Sequence, residues 1–296
     1  MDQTTIAALP AILSGQVAGM SVIIRADLEA DSESDLRFVA TKSLVDFLQA
    51  ESAAVVKVIG HKGAVWQVPA LGVTVNYNLR ADPREEADSM ELAAELAEGF
   101  DVYINEAFSV SHRKHTSVDA LPRLMKSHGK AVYLGPRFIK ELEMLSQVLT
   151  KPGKKVLVIG GAKVEDKKES AQKLQPKFDA VLKGGLLPGA ELRDDGLDIS
   201  DEAIADFKKQ LADAGVIVTA GAMGKFEDDS AQKGTQEILQ AIAASSAYKV
   251  AGGGETEQAI TKYNLTAKFD WISVGGGAML EFLASDTLPG IEAILA

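Results

Sequence analysis

Apolar segments that end in glycines recur through the second half of this chain, and they constrain its fold more than any other feature. The first covers residues 156–159 and reads as a buried strand; Gly160 and Gly161 then allow a sharp turn before a helical run with Lys163 and Lys167. Similar segments cover residues 179–183, 216–219, 248–251 and 271–274, and they are followed by Gly184 and Gly185, by Gly221 and Gly224, by Gly252, Gly253 and Gly254, and by Gly275, Gly276 and Gly277. Short strands that alternate with helical segments predict an α/β fold with a parallel sheet.

The carboxyl ends of parallel strands share one edge of an open sheet, and ligands bind at that edge. Backbone N–H groups in a glycine turn and at a helix N-terminus attract anions, and the ammonium groups of Lys163 and Lys167 suit phosphate. A single pair of glycines is common in the tight turns of α/β proteins and has no functional meaning by itself. Five such turns together favour a phosphorylated ligand at this edge.

The first half of the chain shows the same alternation, but charged residues stand at the strand ends. Strands are predicted at residues 21–25, 54–59, 73–78, 101–104 and 131–134, and helices at residues 36–49, from about 85 to 98, and at 138–149. The last of these helices is predicted to connect two sheets.

Basic side chains near the strand ends are Arg25, Arg37, His61, Arg80, His112 and Arg113. Each alone is an ordinary surface or structural residue. Together they predict a basic patch for a small polyanion, because arginine pairs bidentately with carboxylate and phosphate.

Composition excludes several classes of function. The chain has 296 residues with 46% hydrophobic residues, enough for two domains, and a net charge of -11 that argues against general nucleic-acid or anionic-membrane binding. It has no cysteine, so disulfides, thiol catalysis and cysteine-based metal sites are excluded. The four histidines fit no HExxH or Cys/His zinc motif. With no signal-like start and no long apolar run, a cytoplasmic protein is expected.

Several motifs resemble those of phosphoglycerate kinases, and they occur in the family's order over nearly the whole chain. In chain order they are NLRADPREEAD, DVYINEAFSVSHRKHTS, VLVIGGAKVEDKK, MGKFE, VAGGGET, SVGGGAMLEFL and LPGIEAIL. A dinucleotide-binding fold is a weaker interpretation, because no strand ends in a clean GxGxxG. The resemblance implies two lobes, each a parallel sheet flanked by helices, that close around the reactants. It implies domains at residues 1–140, 141–285 and 286–296, the last returning to the first lobe, and a monomer.

The resemblance also implies a glycolytic kinase that moves a phosphoryl group between 1,3-bisphosphoglycerate and ADP, with ATP/ADP and Mg²⁺ as cofactors. The residues that resemble the 3-phosphoglycerate site are Asp27, Arg37, His61, Arg80 and Arg113. Those that resemble the nucleotide site are Gly160, Gly161, Lys163, Lys167, Gly184, Gly185, Gly221, Glu227, Gly252 to Gly254, and Gly275 to Gly277, with Glu255 on the metal side. Arg37, Lys163, Gly253 and Gly276 are expected to act on the transferring group.

The chain departs from the family pattern in ways that keep other functions open. Compared with the family, segments are missing between residues 63 and 75 and between residues 189 and 196. The second missing segment includes a helix and a strand that normally wall the adenine pocket. Five substitutions stand near the expected sites, at Glu29, Ala64, Ala220, Ala222 and Glu255. The alternatives are a non-catalytic descendant that binds phosphorylated metabolites and a kinase of another small carboxylate.

Overall fold

A computed structural model describes residues 1–162 and 164–296, and of residue 166 it describes only the backbone. The chain divides into two compact units. The first comprises residues Met1–Glu143 and Thr287–Ala296, and the second comprises Met144–Asp286.

Each unit is built around its own five-stranded parallel sheet. The strands are β1 (Ser21–Arg25), β2 (Val55–Ile59), β3 (Thr74–Asn76), β4 (Val102–Asn105), β5 (Ala131–Leu134), β6 (Lys154–Ile159), β7 (Ala180–Lys183), β8 (Ala214–Ala220), β9 (Tyr248–Gly252) and β10 (Trp271–Ser273). The spatial orders are β3-β2-β1-β4-β5 and β10-β9-β8-β6-β7. The predicted α/β class with two parallel sheets is therefore confirmed.

Helices connect the strands and cover the sheets. They are α1 (Gln3–Ala7), α2 (Leu36–Ala50), α3 (Gln67–Leu71), α4 (Pro83–Glu86), α5 (Met90–Ala97), α6 (Ala120–Ser127), α7 (Pro136–Thr150), α8 (Val164–Leu174), α9 (Asp201–Ala212), α10 (Lys233–Ala244), α11 (Gly254–Lys262), α12 (Gly276–Ser285) and α13 (Pro289–Leu295). Short 3₁₀ turns cover Leu79–Ala81, Phe108–Val110, Gln175–Lys177 and Thr266–Lys268. None of the helices in the described ranges has both the length and the apolar character needed to cross a membrane.

In each sheet, one strand pairs with two neighbours so that the carboxyl ends of all three lie side by side. In the first sheet, Arg25 at the end of β1 lies opposite Ile59 of β2 and Asn105 of β4. Residues just beyond these strands, such as Asp27 and His61, therefore emerge at one edge. In the second sheet, Ile159 at the end of β6 lies opposite Lys183 of β7 and Ala220 of β8, so the glycine turns that follow also share an edge.

Helix α2 shows how a local pattern determines packing. Its buried residues are the five that the 3.6-residue spacing predicts, namely Phe38, Thr41, Leu44, Val45 and Leu48. The Asp35 side chain accepts a hydrogen bond of 2.8 Å from the Arg37 backbone N–H and caps the helix. This cap fixes the start of α2 and therefore the backbone position of Arg37, close to the end of β1.

The single acidic helix predicted up to residue 98 is instead two helices, α4 and α5. Asp88 between them has a left-handed φ of 52°, and Ser89 caps α5. The Ser89 backbone N–H donates to Thr116 Oγ1 at 2.7 Å, and Asp88 Oδ1 accepts from the Ala120 N–H at 3.1 Å. These contacts with a distant part of the chain stabilise the break, which turns Glu85 into the interior.

The C-terminal helix α13 packs within the first unit. Ile291 and Ile294 are fully buried, and the Gly290 N–H donates to the Ser111 carbonyl oxygen at 3.0 Å. Lys126 Nζ donates to the Ile294 carbonyl oxygen at 2.8 Å. Residues 287–296 therefore complete the core of the unit in which the chain begins.

Candidate functional site

The glycine turns after β6, β7 and β8 touch one another through their backbones. A Cβ atom on Gly160 would overlap the Ala222 carbonyl oxygen, and one on Gly185 would overlap the Gly161 amide nitrogen. A Cβ on Gly221 would overlap the Gly160 carbonyl oxygen. The prediction that these turns meet at one edge of the sheet is confirmed, and the lack of side chains is what lets them meet.

The turns after β9 and β10 extend the same surface. A Cβ on Gly276 would lie 2.8 Å from the Gly253 Cα. Thr256 Oγ1 accepts from the Gly221 N–H at 2.6 Å and donates to the Gly252 carbonyl oxygen at 3.0 Å. Thr256, which sequence reasoning missed, therefore ties the β8 turn to the β9 turn. Together the five turns form a continuous surface that we call the glycine floor, comprising residues 160–161, 184–185, 221, 252–254 and 275–277.

Four backbone N–H groups of the glycine floor already have acceptors within the protein. The N–H of Gly160 donates to Ala220 O at 3.0 Å, and that of Gly185 donates to Met223 O at 2.7 Å. The N–H of Gly184 donates to Ile159 O at 2.9 Å, and that of Gly221 is bound to Thr256. The close approach of the turns therefore occupies these four N–H groups in this structure, and phosphate binding by Gly161 and the two glycine triplets stays a prediction.

The first turns of α11 and α12 are the remaining candidates for anion donors. These helices have Gly253 and Gly275 as their N-caps, and no described side chain caps either end. A helix N-terminus leaves its first N–H groups without helical partners and carries partial positive charge. The two glycine triplets are thus the part of the floor best suited to phosphate.

Lys167 and Glu255 form an ion pair over the floor. Lys167 Nζ lies 3.2 Å from Glu255 Oε2 and also donates to the Gly160 carbonyl oxygen. A Cβ on Gly161 would overlap both side chains, so this glycine makes room for the pair. The Lys167 charge is therefore compensated by Glu255. Lys163 lies outside the described residues, and Glu227 is exposed.

In the first unit, Asp27 and Arg37 come together beyond β1. Arg37 Nε lies 3.4 Å from Asp27 Oδ2, and Arg37 Nη1 donates to the Glu29 carbonyl oxygen. The Ser109 hydroxyl also donates to Asp27 Oδ2. These hydrogen bonds hold the Arg37 side chain, which is mostly buried, at the edge of the sheet.

His61 and Arg80 meet around a carboxylate that the sequence analysis did not assign to the site. Glu86 Oε1 lies 3.7 Å from His61 Nε2 and 3.9 Å from Arg80 Nε. The Arg80 side chain is 60% exposed. Arg113 is also exposed, and its Nε donates to His112 Nε2 at 3.3 Å.

The predicted basic patch is less positive than its sequence suggests. Arg25 is only 1% exposed and donates to the Ser117 hydroxyl, so it does not present a surface charge. Burial, followed by the charge of Arg25, lowers the pKa of His61. Arg37 and Arg80 each have a carboxylate within 4 Å. An anionic ligand must therefore compete with the protein's own carboxylates.

Beneath this surface lies a buried group that we call the histidine cluster, formed by His61, Glu85 and His115. Glu85 Oε1 lies 3.8 Å from His61 Nδ1 and 4.0 Å from His115 Nδ1, and the two imidazole rings stack with centroids 4.8 Å apart. Burial lowers the pKa of His115 to about 4, so it is neutral at pH 7. No local sequence signal indicates this cluster, since its members follow β2, lie in α4 and follow β4.

The chain matches the family model of phosphoglycerate kinase over residues 1–193 and 189–286. A curated phosphoglycerate kinase of Bdellovibrio bacteriovorus is 33% identical over an alignment of 278 residues that covers 73% of this chain and 68% of that protein. One of Solibacter usitatus is 29% identical over an alignment of 357 residues that covers 99% of this chain and 90% of that protein.

Solved structures of two relatives show the same fold. Phosphoglycerate kinase from Coxiella burnetii superposes with a TM-score of 0.77 at 24% identity, covering 96% of this chain and 98% of the other. The enzyme from Pyrococcus horikoshii OT3 gives a TM-score of 0.77 at 23% identity, and the match covers 94% of this chain and 96% of the other.

Proposed function

The chain belongs to the phosphoglycerate kinase family, and from this premise we propose that it transfers a phosphoryl group reversibly between 1,3-bisphosphoglycerate and ADP, giving 3-phosphoglycerate and ATP. The observation that carries the proposal is the family match, which runs through both units and includes both candidate sites. The enzyme is accordingly a phosphotransferase that acts on small molecules. Phosphoglycerate kinases in general use ATP/ADP and Mg²⁺.

The glycine floor fits a nucleotide phosphate. Side chains at most of its glycines would overlap neighbouring atoms, so the surface is open only because they are absent. Within the floor, the uncapped helix N-termini at Gly254 and Gly276 provide N–H donors. Glu255 fits Mg²⁺, because magnesium prefers carboxylate oxygen and this side chain is 36% exposed. Bound Mg²⁺ would neutralise phosphate charge. When Glu255 leaves Lys167, the Lys167 ammonium group becomes available to a phosphate oxygen.

The Asp27 and Arg37 pair, with His61, Arg80 and Arg113, is proposed to bind 3-phosphoglycerate. The arginine forks suit its phosphate and carboxylate. Because the carboxylate of the substrate is itself the nucleophile, the protein needs no covalent nucleophile. Its residues instead hold the substrate and stabilise charge on the transferring group, as is general for phosphoryl transfer.

One observation favours a second candidate, a non-catalytic protein that binds phosphorylated metabolites. Carboxylates compensate the charges of Lys167, Arg37 and Arg80, which weakens the field that phosphoryl transfer requires. A kinase of another small carboxylate would retain the same arginines and the same floor. The family membership favours phosphoglycerate kinase over both.

A coupled assay of ATP formation from 1,3-bisphosphoglycerate and ADP tests the proposal. Mg²⁺-dependent ATP formation that saturates in both substrates is expected. Nucleotide binding without turnover would support the non-catalytic candidate, and phosphorylation of a different carboxylate with none of 3-phosphoglycerate would support the other kinase.

Arg37→Ala is expected to weaken 3-phosphoglycerate binding by about 10-fold or more, since hydrogen bonds to charged groups contribute about 1.5–3 kcal/mol. The substitution removes a charged donor and also leaves Asp27 without its ion-pair partner beside an anionic ligand. Titration calorimetry at low and high salt measures the change, and wild-type binding should fall as salt rises.

Lys42→Ala is the matched control, because Lys42 lies on the same helix as Arg37, is exposed and forms an ion pair with Asp46, away from Asp27. Its 3-phosphoglycerate affinity should equal that of the wild type. Salt-insensitive wild-type binding, or equal effects of the two substitutions, would show that the patch is not the substrate site.

ADP and GDP are expected to bind with affinities within a few-fold of each other, and inorganic polyphosphate should compete with both. The glycine floor binds phosphate whatever base is attached, whereas base discrimination requires walls. The short connection between residues 189 and 196 leaves Leu186 57% exposed and Leu197 40% exposed on either side of it. Competition titrations measure the three affinities, and a strongly ADP-selective site would contradict the prediction.

A further inference from the structure

The histidine cluster has the composition of a transition-metal site. We propose that His61, Glu85 and His115 bind one divalent cation of the zinc class, in a site distinct from the Mg²⁺ that accompanies the nucleotide. His61 is also a candidate substrate residue, but Glu85 and His115 have no role in the proposed function. The proposal goes beyond that function and does not depend on it.

The three side chains are close enough to share an ion. One ligand atom from each lies within 4.8 Å of the others. Around a tetrahedral Zn²⁺ with bonds of about 2.0–2.2 Å, ligand atoms lie about 3.4 Å apart, so each atom has to move by less than about 1 Å. Two imidazoles and one carboxylate, with a remaining position for water, form a ligand set that selects zinc, cobalt or nickel over magnesium or calcium.

Two buried nitrogen atoms in the cluster lack hydrogen-bond partners. His61 is 7% exposed and His115 is 6% exposed, and the Nδ1 atom of each makes no hydrogen bond to any described residue. Buried polar atoms in native proteins nearly always have a partner. Both nitrogens lie within 4.0 Å of Glu85 Oε1, so a cation bound by this carboxylate oxygen would give each nitrogen a partner. Neutral imidazole is also the form that binds a metal.

The carboxylate of Glu85 is held in place by other groups. Glu85 is fully buried and accepts hydrogen bonds from the Ser117 backbone N–H at 3.0 Å and from the Ser117 hydroxyl at 2.6 Å. Tyr103 donates its phenolic proton to the Ser117 carbonyl oxygen at 2.8 Å. Hydrogen bonds that orient a ligand in this way strengthen metal binding.

The local charge permits a cation of moderate affinity. Glu85 and Glu86 both lie within 4 Å of a nitrogen of His61. Arg25 opposes them, because its positive charge contributes to the lowered pKa values of both histidines. We therefore expect weaker binding than in a closed four-ligand zinc site, but binding of one equivalent.

The test uses the full chain after treatment with a chelator and dialysis. Titration with Co²⁺ is expected to give a visible absorption band that saturates at one equivalent and disappears when Zn²⁺ is added. Calorimetry with Zn²⁺ measures the affinity in the absence of substrate and nucleotide. His115→Gln should lower this affinity at least 10-fold, whereas His128→Gln, which changes an exposed histidine at the end of α6, should leave it unchanged.

A second measurement guards against misfolding of the variant. Zn²⁺ should raise the thermal midpoint of the wild type and of His128→Gln but not that of folded His115→Gln, since a ligand stabilises the state that binds it. Absence of saturable Co²⁺ and Zn²⁺ binding, or binding that His115→Gln does not change, would overturn the proposal and would indicate that water occupies the cluster. Kinase activity with Mg²⁺ alone is measured separately, so failure of this site leaves the proposed function intact.

Discussion

Lys163→Ala is expected to lower kcat by about 10²- to 10³-fold while leaving the free energy of unfolding almost unchanged. Loss of a single hydrogen-bond donor to the charge that develops in the transition state typically costs about 2.7–4 kcal/mol of transition-state stabilisation. Lys163 lies outside the described residues, and the prediction rests on its place in the sequence. In the sequence it stands two residues after Gly161, which has a left-handed φ of 101°, and directly before Val164, where α8 begins.

Lys168→Ala is the control for this experiment, because Lys168 is an exposed lysine of α8, five residues further along the sequence. Its steady-state kinetics should match the wild type, as should the chemical unfolding curves of both variants. Turnover of Lys163→Ala within a few-fold of the wild type, with an intact fold, would remove Lys163 from the catalytic residues and leave Lys167 as the phosphate-facing lysine.

Gly160→Ala is expected to reduce the stability of the second unit and to abolish nucleotide binding. The new Cβ would overlap the Ala222 carbonyl oxygen and lie 2.8 Å from the Met223 methyl carbon. Overpacking of this kind costs about 1–3 kcal/mol, and the backbone of the β8 turn would have to move. Since the turns of the floor touch one another, that movement would separate Lys167 and the Gly221 amide from their partners.

Gly254→Ala provides a matched comparison within the same floor. Gly254 has a negative φ, and no described atom lies within 4 Å of the added Cβ. Alanine has a higher helix propensity than glycine, so stability should be unchanged or slightly raised. Urea unfolding and ADP titration distinguish the variants; equal behaviour would mean that close contact of the turns does not shape the site.

Much of the fold could be predicted because its signals are local. An apolar run that ends in glycine identifies each strand of the second sheet, and the 3.6-residue spacing identifies the buried face of α2. The break between α4 and α5 could not be predicted, because it depends on the bonds of Ser89 to Thr116 and of Asp88 to Ala120. The acidic residues there are compatible with a continuous helix until those distant partners are known.

The candidate sites divide in the same way. Strand order places Arg37, His61 and the glycine triplets at the sheet edges, and the sequence pattern is sufficient to predict that. The pairing of Lys167 with Glu255, of Arg80 with Glu86, and of His61 and His115 with Glu85 depends on side-chain positions that have no periodic signal. The hydrogen bonds that the Gly160, Gly185 and Gly221 N–H groups donate to neighbouring turns also have no periodic signal.

The position of α13 has a consequence for biosynthesis. Ile291 and Ile294 belong to the core of the first unit, yet they follow the whole of the second unit in the chain. Domains generally fold as units during synthesis, beginning at the N-terminus. Here the first unit cannot close its core until the ribosome has also made the second, so the surface that later receives α13 stays uncovered during that interval. A chaperone that binds apolar surfaces would meet this nascent chain while residues 144–286 are still being translated.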